Sequence, residues 1–244
     1  MLKKIKGKVG DYCRAFQGIY HHKREGFLDL PEGIEQLVLG ETVEGREVSA
    51  FHFGRGGKVK ILFLGGIHGN EVGTVKLMHR LVDFLRGNFR FLGVEIFVIP
   101  CLNLDGLAQA MEEPAYFKAG EIGRFNANGV DLNRNFDGLN FEPESRVLAD
   151  FIREKGVNVV YSFHNRGREV YGSTDRLAQD LVKDFVKWSG YRYVEDELKV
   201  TGTLKEWCEV GGVSYVEVEC RSRWASDWEH LKPAIIKGIK YHYG

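Results

Sequence analysis

Short apolar runs bounded by glycine and proline constrain this chain most. Ile61-Leu-Phe-Leu64 and Val157–Phe163 (VNVVYSF) lack the in-and-out alternation of a strand with one face in water. Such strands are buried on both faces, the condition of a parallel sheet sandwiched between helices. Between these runs the period changes. From Val72 to Arg86, apolar residues fall at Val72, Val75, Leu77, Met78, Leu81, Val82, Phe84 and Leu85, a helical spacing. The alternation of strand and helix predicts an α/β fold: one domain over residues 1–244, with a mixed, mostly parallel β-sheet and helices on both faces.

Further elements follow the same logic. Arg46–Phe53 and Lys58–Leu64 read as strands joined by a Gly54-Arg-Gly-Gly turn, and Val94–Pro100 as another. Ser145–Lys155 and Thr174–Trp188 read as helices, the second capped by Ser173 or Thr174. Val213–Val218 is a strand. Ser226–His242 is helical, and Pro233 is expected to divide it. Residues 1–34, mixed and basic, are expected to form a short helix or loops. Cys101–Leu139 has little periodicity, and a loop of that length is functional or carries short pieces of structure.

Charge excludes several roles. Lysine plus arginine total 34, as do aspartate plus glutamate, so the net charge is zero. A nucleic-acid or anionic-membrane surface needs a basic excess, and neither partner is expected. No apolar run approaches the ~20 residues of a membrane span. The basic start of the chain has no apolar stretch behind it, and the four cysteines are scattered. A cytoplasmic chain with reduced thiols is therefore expected. Nothing in the sequence fixes an oligomeric state.

In an open α/β sheet the chemistry gathers at the carboxyl ends of strands. After the strand ending at Leu64 come His68 and, three residues on, Glu71; after the strand ending at Phe163 comes His164. Two imidazoles and a carboxylate are a catalytic zinc set that leaves one position open for water. The H-x-x-E spacing alone is weak, since His22-Lys-Arg-Glu25 repeats it with no strand before it and reads as solvated surface. A buried histidine bonded to a nearby carboxylate is the other reading of His68. A phosphate cradle at Gly65-Gly-x-x-Gly69 lacks the P-loop lysine, and Glu71 would repel the ligand.

The segment Arg124-Phe-Asn-Ala-Asn-Gly-Val-Asp-Leu-Asn-Arg-Asn-Phe136 is too polar for a core element and too specific for a linker. With His68-Gly-Asn-Glu71 and His164, it resembles the carboxypeptidase A superfamily of zinc metallopeptidases. The matches run in order from Gly65 to about Arg221. The arginine–asparagine-rich segment and Gly202-Thr-Leu-Lys-Glu-Trp207 look most like the murein-peptide amidase branch. His68-Gly-Asn-Glu71 and His164-Asn165 also resemble the aspartoacylase and succinylglutamate desuccinylase branch.

The resemblance implies one zinc ion on His68, Glu71 and His164, with Asp131 hydrogen-bonded to a ligand histidine. It implies that Asn133 and Arg134 hold the substrate's terminal carboxylate and that Arg124 stabilises the oxyanion. The general base is a late-strand glutamate, Glu219 or Glu217; the family's arginine two residues after the base favours Glu219, which precedes Arg221. The implied activity is hydrolysis of an amide bond next to a free carboxylate in a small peptide. N-acyl-amino-acid deacylation is the alternative, and a binding protein that kept the fold and lost the chemistry is a third reading. The tyrosine that closes over substrate in the family has no clear match, Trp207 and Tyr215 being the residues on offer. Arg166 and Arg168 are either a site for a second substrate carboxylate or a solvated basic loop.

Overall fold

A computed structural model describes residues 34–88, 93–112, 121–195 and 200–242. Residues 1–33, including His22 and Glu25, lie outside the described residues. The strands are β1 (Ile34–Glu41), β2 (Glu47–Phe53), β3 (Val59–Leu64), β4 (Val94–Ile99), β5 (Val159–Asn165), β6 (Glu169–Gly172), β7 (Arg192–Tyr193) and β8 (Ser214–Cys220). The helices are α1 (Val72–Asn88), α2 (Leu104–Glu112), α3 (Pro143–Lys155), α4 (Arg176–Ser189), α5 (Leu204–Val210) and α6 (Trp228–Tyr241), with a 3₁₀ turn at Leu132–Arg134.

All eight strands join one sheet in the order β1-β2-β4-β3-β5-β8-β6-β7. Its centre, β4-β3-β5-β8, is parallel, while β1, β2 and β6 pair antiparallel at the flanks. The mixed, mostly parallel sheet is thus as expected. Alternate side chains feed two cores, as the strand period of two requires. Ile61, Phe63, Val159, Tyr161, Val216 and Val218 pack with Leu81, Phe185 and Ile235 of α1, α4 and α6. Leu62, Leu64, Val160 and Tyr215 face the opposite way, against Leu148 and Ile152 of α3 and Leu204 and Cys208 of α5. Helices cover both faces, which is why the central strands read as unbroken apolar runs.

Three expectations need correction. The cap of α4 is Asp175, whose side chain accepts from Ala178 N; Ser173 instead donates to that carboxylate from 2.6 Å. Pro233 does not divide the last helix, which runs unbroken from Trp228 to Tyr241 around it. The lost backbone bond is outweighed by the buried stripe of Trp228, Leu231, Ala234, Ile235 and Ile239 on both sides of the proline. The segment after Cys101 carries short pieces of structure, as expected: α2 and the 3₁₀ turn lie within it. Ile34 opens a strand that extends to Glu41.

Candidate active site

Strands β3, β5 and β8 run parallel side by side, so their carboxyl ends open on one edge of the sheet. His68 stands in the turn between β3 and α1, and Glu71 immediately precedes α1. His164 is the penultimate residue of β5, and the register sets it beside Glu219 of β8, with Ser162 beside Glu217. The β3–α1 turn needs glycine twice. Gly66 has φ 58°, and a Cβ there would sit 2.7 Å from Cys101 Sγ; a Cβ on Gly69 would lie 2.1 Å from Leu107 N of α2. The turn therefore packs backbone to backbone on α2, which fixes the His68 main chain.

The expected ligand set converges. His68 Nδ1 is 3.2 Å from Glu71 Oε1, and His164 Nδ1 is 3.3 Å from Glu71 Oε2. Candidate ligand atoms of His68, Glu71 and His164 all lie within 4.8 Å of one another, and the three residues are buried. His68 Nδ1 and Glu71 Oε2 nevertheless have no hydrogen-bond partner among the described residues, nor does the buried Glu219 Oε2. Buried polar atoms are rarely left unpaired, and a cation at their common focus would satisfy them. The donor set, two imidazoles and a carboxylate, fits zinc.

Electrostatics point the same way. Burial works against charge on His164, yet Glu217 and Glu71 hold its pKa up to about 10; His68 is likewise raised, against burial, by Glu71 and Asp131. The pocket thus favours positive charge, a role a divalent ion fills by displacing protons from its ligands. Glu71 is driven down to about 2, the two imidazoles overcoming its burial. Glu219 moves the other way, to about 7, because burial and then the Glu217 and Glu71 charges outweigh the pull of His164 and His68. Glu217 is differently placed. Its Oε2 accepts from Tyr215 Oη at 2.6 Å and its Oε1 from Tyr171 Oη.

The polar motif forms the opposite wall. Asp131 caps the 3₁₀ turn: its Oδ1 accepts from Asn133 N (2.9 Å) and stands 3.1 Å from His68 Nε2. Its Oδ2 accepts from Arg124 Nη2 (2.7 Å) and Nε (3.1 Å). These partners overcome burial and hold the Asp131 carboxyl well below the usual range. Asn133 Oδ1 accepts from Leu204 N (3.0 Å) at the start of α5, so its side-chain amide group is turned to donate. Arg134 is exposed and has no carboxylate at ion-pair distance among the described residues.

A cleft of about 150 Å³ brings His68, Glu71, His164, Glu219, Arg124, Asn133 and Arg134 together. Every site residue expected from the sequence lines it or, as Asp131 does, supports one that does. Tyr171, Thr203 and Lys205 line it as well and were not anticipated as site residues. Thr203 carries a readable signal, the T-x-x-E capping box with Glu206. Tyr171 reaches the cleft through the β6–β8 register, which sets it opposite Glu217. Arg166 and Arg168 are exposed and are not among the residues lining the cleft. Trp207 packs on Phe136, and Tyr215 is wholly buried beneath Glu217.

With this geometry in view, the family model described as zinc carboxypeptidase matches residues 28–215. The chain belongs to the zinc carboxypeptidase family. It is 35% identical to the human carboxypeptidase N catalytic chain over 121 residues, 42% of this chain and 26% of that protein. The chain thus spans about a quarter of that relative's length. The metallo-carboxypeptidase of Burkholderia cenocepacia superposes with a TM-score of 0.67 at 21% identity, covering 95% of this chain and 68% of the other. The murein-tripeptide amidase of Escherichia coli O157 does so with a TM-score of 0.62 at 20% identity, covering 86% and 92%. These two superpositions show a shared fold. Zinc is the metal the family is named for, and His68, Glu71 and His164 converge closely enough to hold it, as do His164, Glu217 and Glu219 beside them; the first set, wholly buried and with two imidazoles, fits it better.

Proposed function

We propose that this zinc carboxypeptidase family member hydrolyses an amide bond next to a free carboxylate in a small peptide, as a metallocarboxypeptidase or amidase. One observation carries the reading. A single cleft combines a two-histidine, one-carboxylate ligand set, an unpaired glutamate oxygen and an arginine without a carboxylate partner among the described residues.

Zinc held by His68, Glu71 and His164 supplies Lewis acidity toward a carbonyl oxygen and toward water. The chain's own residues do the rest. Glu219, with its carboxyl raised to about 7 and Oε2 unpaired, takes a proton from the attacking water and returns it to the leaving amine. Arg124 pairs with Asp131 through Nε and Nη2, which leaves Nη1 to donate to the developing oxyanion. Arg134 takes the substrate carboxylate in its planar fork, and Asn133 Nδ2 adds a donor beside it. Asp131 keeps a proton on His68 Nε2, so that Nδ1 presents its lone pair to the metal.

The surroundings complete the proposal. The residues form one catalytic domain, act on small peptides and take neither nucleic acid nor membrane as partner. Among the described residues no helix is long and apolar enough to cross a membrane. Cys101, Cys208 and Cys220 are free and buried, which supports a reducing, cytoplasmic setting.

The test is mass spectrometry of the zinc-loaded protein on one substrate pool: peptides with free C-termini, the same peptides amidated, γ-glutamyl-linked peptides and N-acyl amino acids. Loss of C-terminal residues from free-carboxylate peptides alone is expected. Release of acyl groups alone would replace this reading with deacylation, and equal cleavage of amidated peptides would overturn the carboxylate anchor.

A further inference from the structure

His68 and His164 both turn Nδ1 toward Glu71, and both therefore expose Nε2 on the far side. For His68 that side is closed by a direct contact with Asp131. His164 has no direct carboxylate there. Its Nε2 is 3.1 Å from Ser162 Oγ, and the nearest Glu217 oxygen is 4.0 Å away. Tyr215 donates to Glu217 Oε2 at 2.6 Å. Tyr171 donates to the other oxygen of the same carboxylate. Ser162, His164, Tyr215 and Glu217 are all buried, so these bonds do not compete with bulk water.

Both Glu217 oxygens accept from phenols, so the carboxylate faces His164 as an acceptor and not as a donor. With Glu217 Oε2 4.0 Å and Ser162 Oγ 3.1 Å from Nε2, this side of the ring favours a proton on Nε2. The lone pair is then left on Nδ1, the tautomer a metal ligand at that position needs.

We propose that Glu217 is a positioning residue that, together with Ser162, fixes the Nδ1-coordinating tautomer of His164, as Asp131 fixes that of His68. The inference rests on the reading of His164 as a zinc ligand. It separates the two late-strand glutamates by role. Glu219 keeps a free oxygen at the cleft, whereas Glu217 has both oxygens committed to phenols and acts only through His164.

The experiment measures zinc affinity by chelator competition, with unfolding of the zinc-free proteins as a control, for wild type, Glu217→Gln, Ser162→Ala and Tyr171→Phe. Loss of such an outer partner weakens metal binding by about 10–100-fold. That loss is expected for Glu217→Gln and Ser162→Ala. Tyr171→Phe leaves the Glu217 carboxylate and Ser162 in place and is expected to lose less affinity than either of those variants. Nitrogen-15 spectra of the zinc-loaded wild type should show a protected His164 Nε2 proton, which exchanges faster in Ser162→Ala. Ser162→Ala removes little volume and keeps the proposal testable if Glu217→Gln does not fold. Unchanged zinc affinity in the folded variants would overturn the inference while leaving zinc binding intact. A wild type that binds no zinc would overturn the ligand reading and this inference with it.

Discussion

Asp131 and His68 meet at 3.1 Å, Oδ1 to Nε2, on the edge of the imidazole away from Glu71. The same oxygen accepts from Asn133 N, and its partner oxygen takes the Arg124 guanidinium. One carboxylate thus orients a candidate metal ligand, shapes the 3₁₀ turn that carries Asn133 and Arg134, and holds Arg124 at the cleft. Asp131→Asn keeps the size of the group and removes its charge. Zinc affinity is expected to fall by about 10–100-fold. Chelator competition measures this directly, and an affinity equal to wild type would show that Asp131 serves the turn alone.

Glu219→Gln separates metal binding from proton transfer. The Glu219 carboxylate is not part of the His68–Glu71–His164 set, so bound zinc per chain is expected to stay unchanged by elemental analysis. A lost general base costs about 10²–10⁴-fold, so kcat should fall by that much with KM little altered. A variant that keeps wild-type kcat would return the base assignment to Glu217.

The histidines and late glutamates of the candidate site were legible in the sequence because they sit at ends of strands that are themselves easy to read, whereas Arg124, Asp131, Asn133 and Arg134 were read from the family resemblance. The unbroken runs of β3 and β5 locate His68 and His164, and the period of two pairs Glu217 with Glu219. What was not legible depends on register or on short elements. The strands β6 and β7 have four and two residues, too few to show a period, and Tyr171 reaches the cleft only because β6 pairs antiparallel with β8. The helix α2 is hidden by its own buried polar positions. Asp105 is fully buried, where it accepts from Thr42 Oγ1 and Glu44 N of the β1–β2 turn, and Gly106 is buried under the 121–136 segment. Neither residue counts as apolar, so the helical stripe fails although the helix packs on both sides. The family's arginine spacing favoured Glu219 over Glu217, but the two phenols that occupy Glu217 are not revealed by any spacing.

Arg134→Ala tests the carboxylate anchor. A hydrogen bond to a charged group contributes about 1.5–3 kcal/mol, which is about 10- to 150-fold in kcat/KM. That loss is expected on free-carboxylate peptides, while amidated peptides, already lacking the partner, should be cleaved at the same low rate by both proteins. Arg134→Lys should recover part of the loss, because it restores charge without the fork. An equal loss on both substrates would place Arg134 outside carboxylate recognition.

The loop after β8 is held by a second buried carboxylate, and its protonation should be visible as acid sensitivity. Asp227 Oδ1 accepts from Arg221 Nε at 2.6 Å, Oδ2 from Arg221 N at 3.1 Å and from the Tyr191 hydroxyl. Burial alone would raise this carboxyl, but the Arg221 and Tyr191 bonds overcome it and hold it below its ordinary value. The unfolded chain, with an aspartate near pH 3.9, then binds more protons than the folded one as acid is added. The stability this site contributes is complete above about pH 4 and is lost as pH falls through the folded-state value. Asp227→Asn should cost about 1–3 kcal/mol at pH 7, the penalty for weakening bonds to a buried charged acceptor. The gap between wild type and variant in urea unfolding should narrow from pH 5 to pH 3, since protonation makes the wild type resemble the variant. Asp131 and Asp175 are depressed too and remain in both proteins, so their acid sensitivity cancels in the difference. A gap that stays constant over this range would mean that Asp227 stabilises the loop by shape and not by charge.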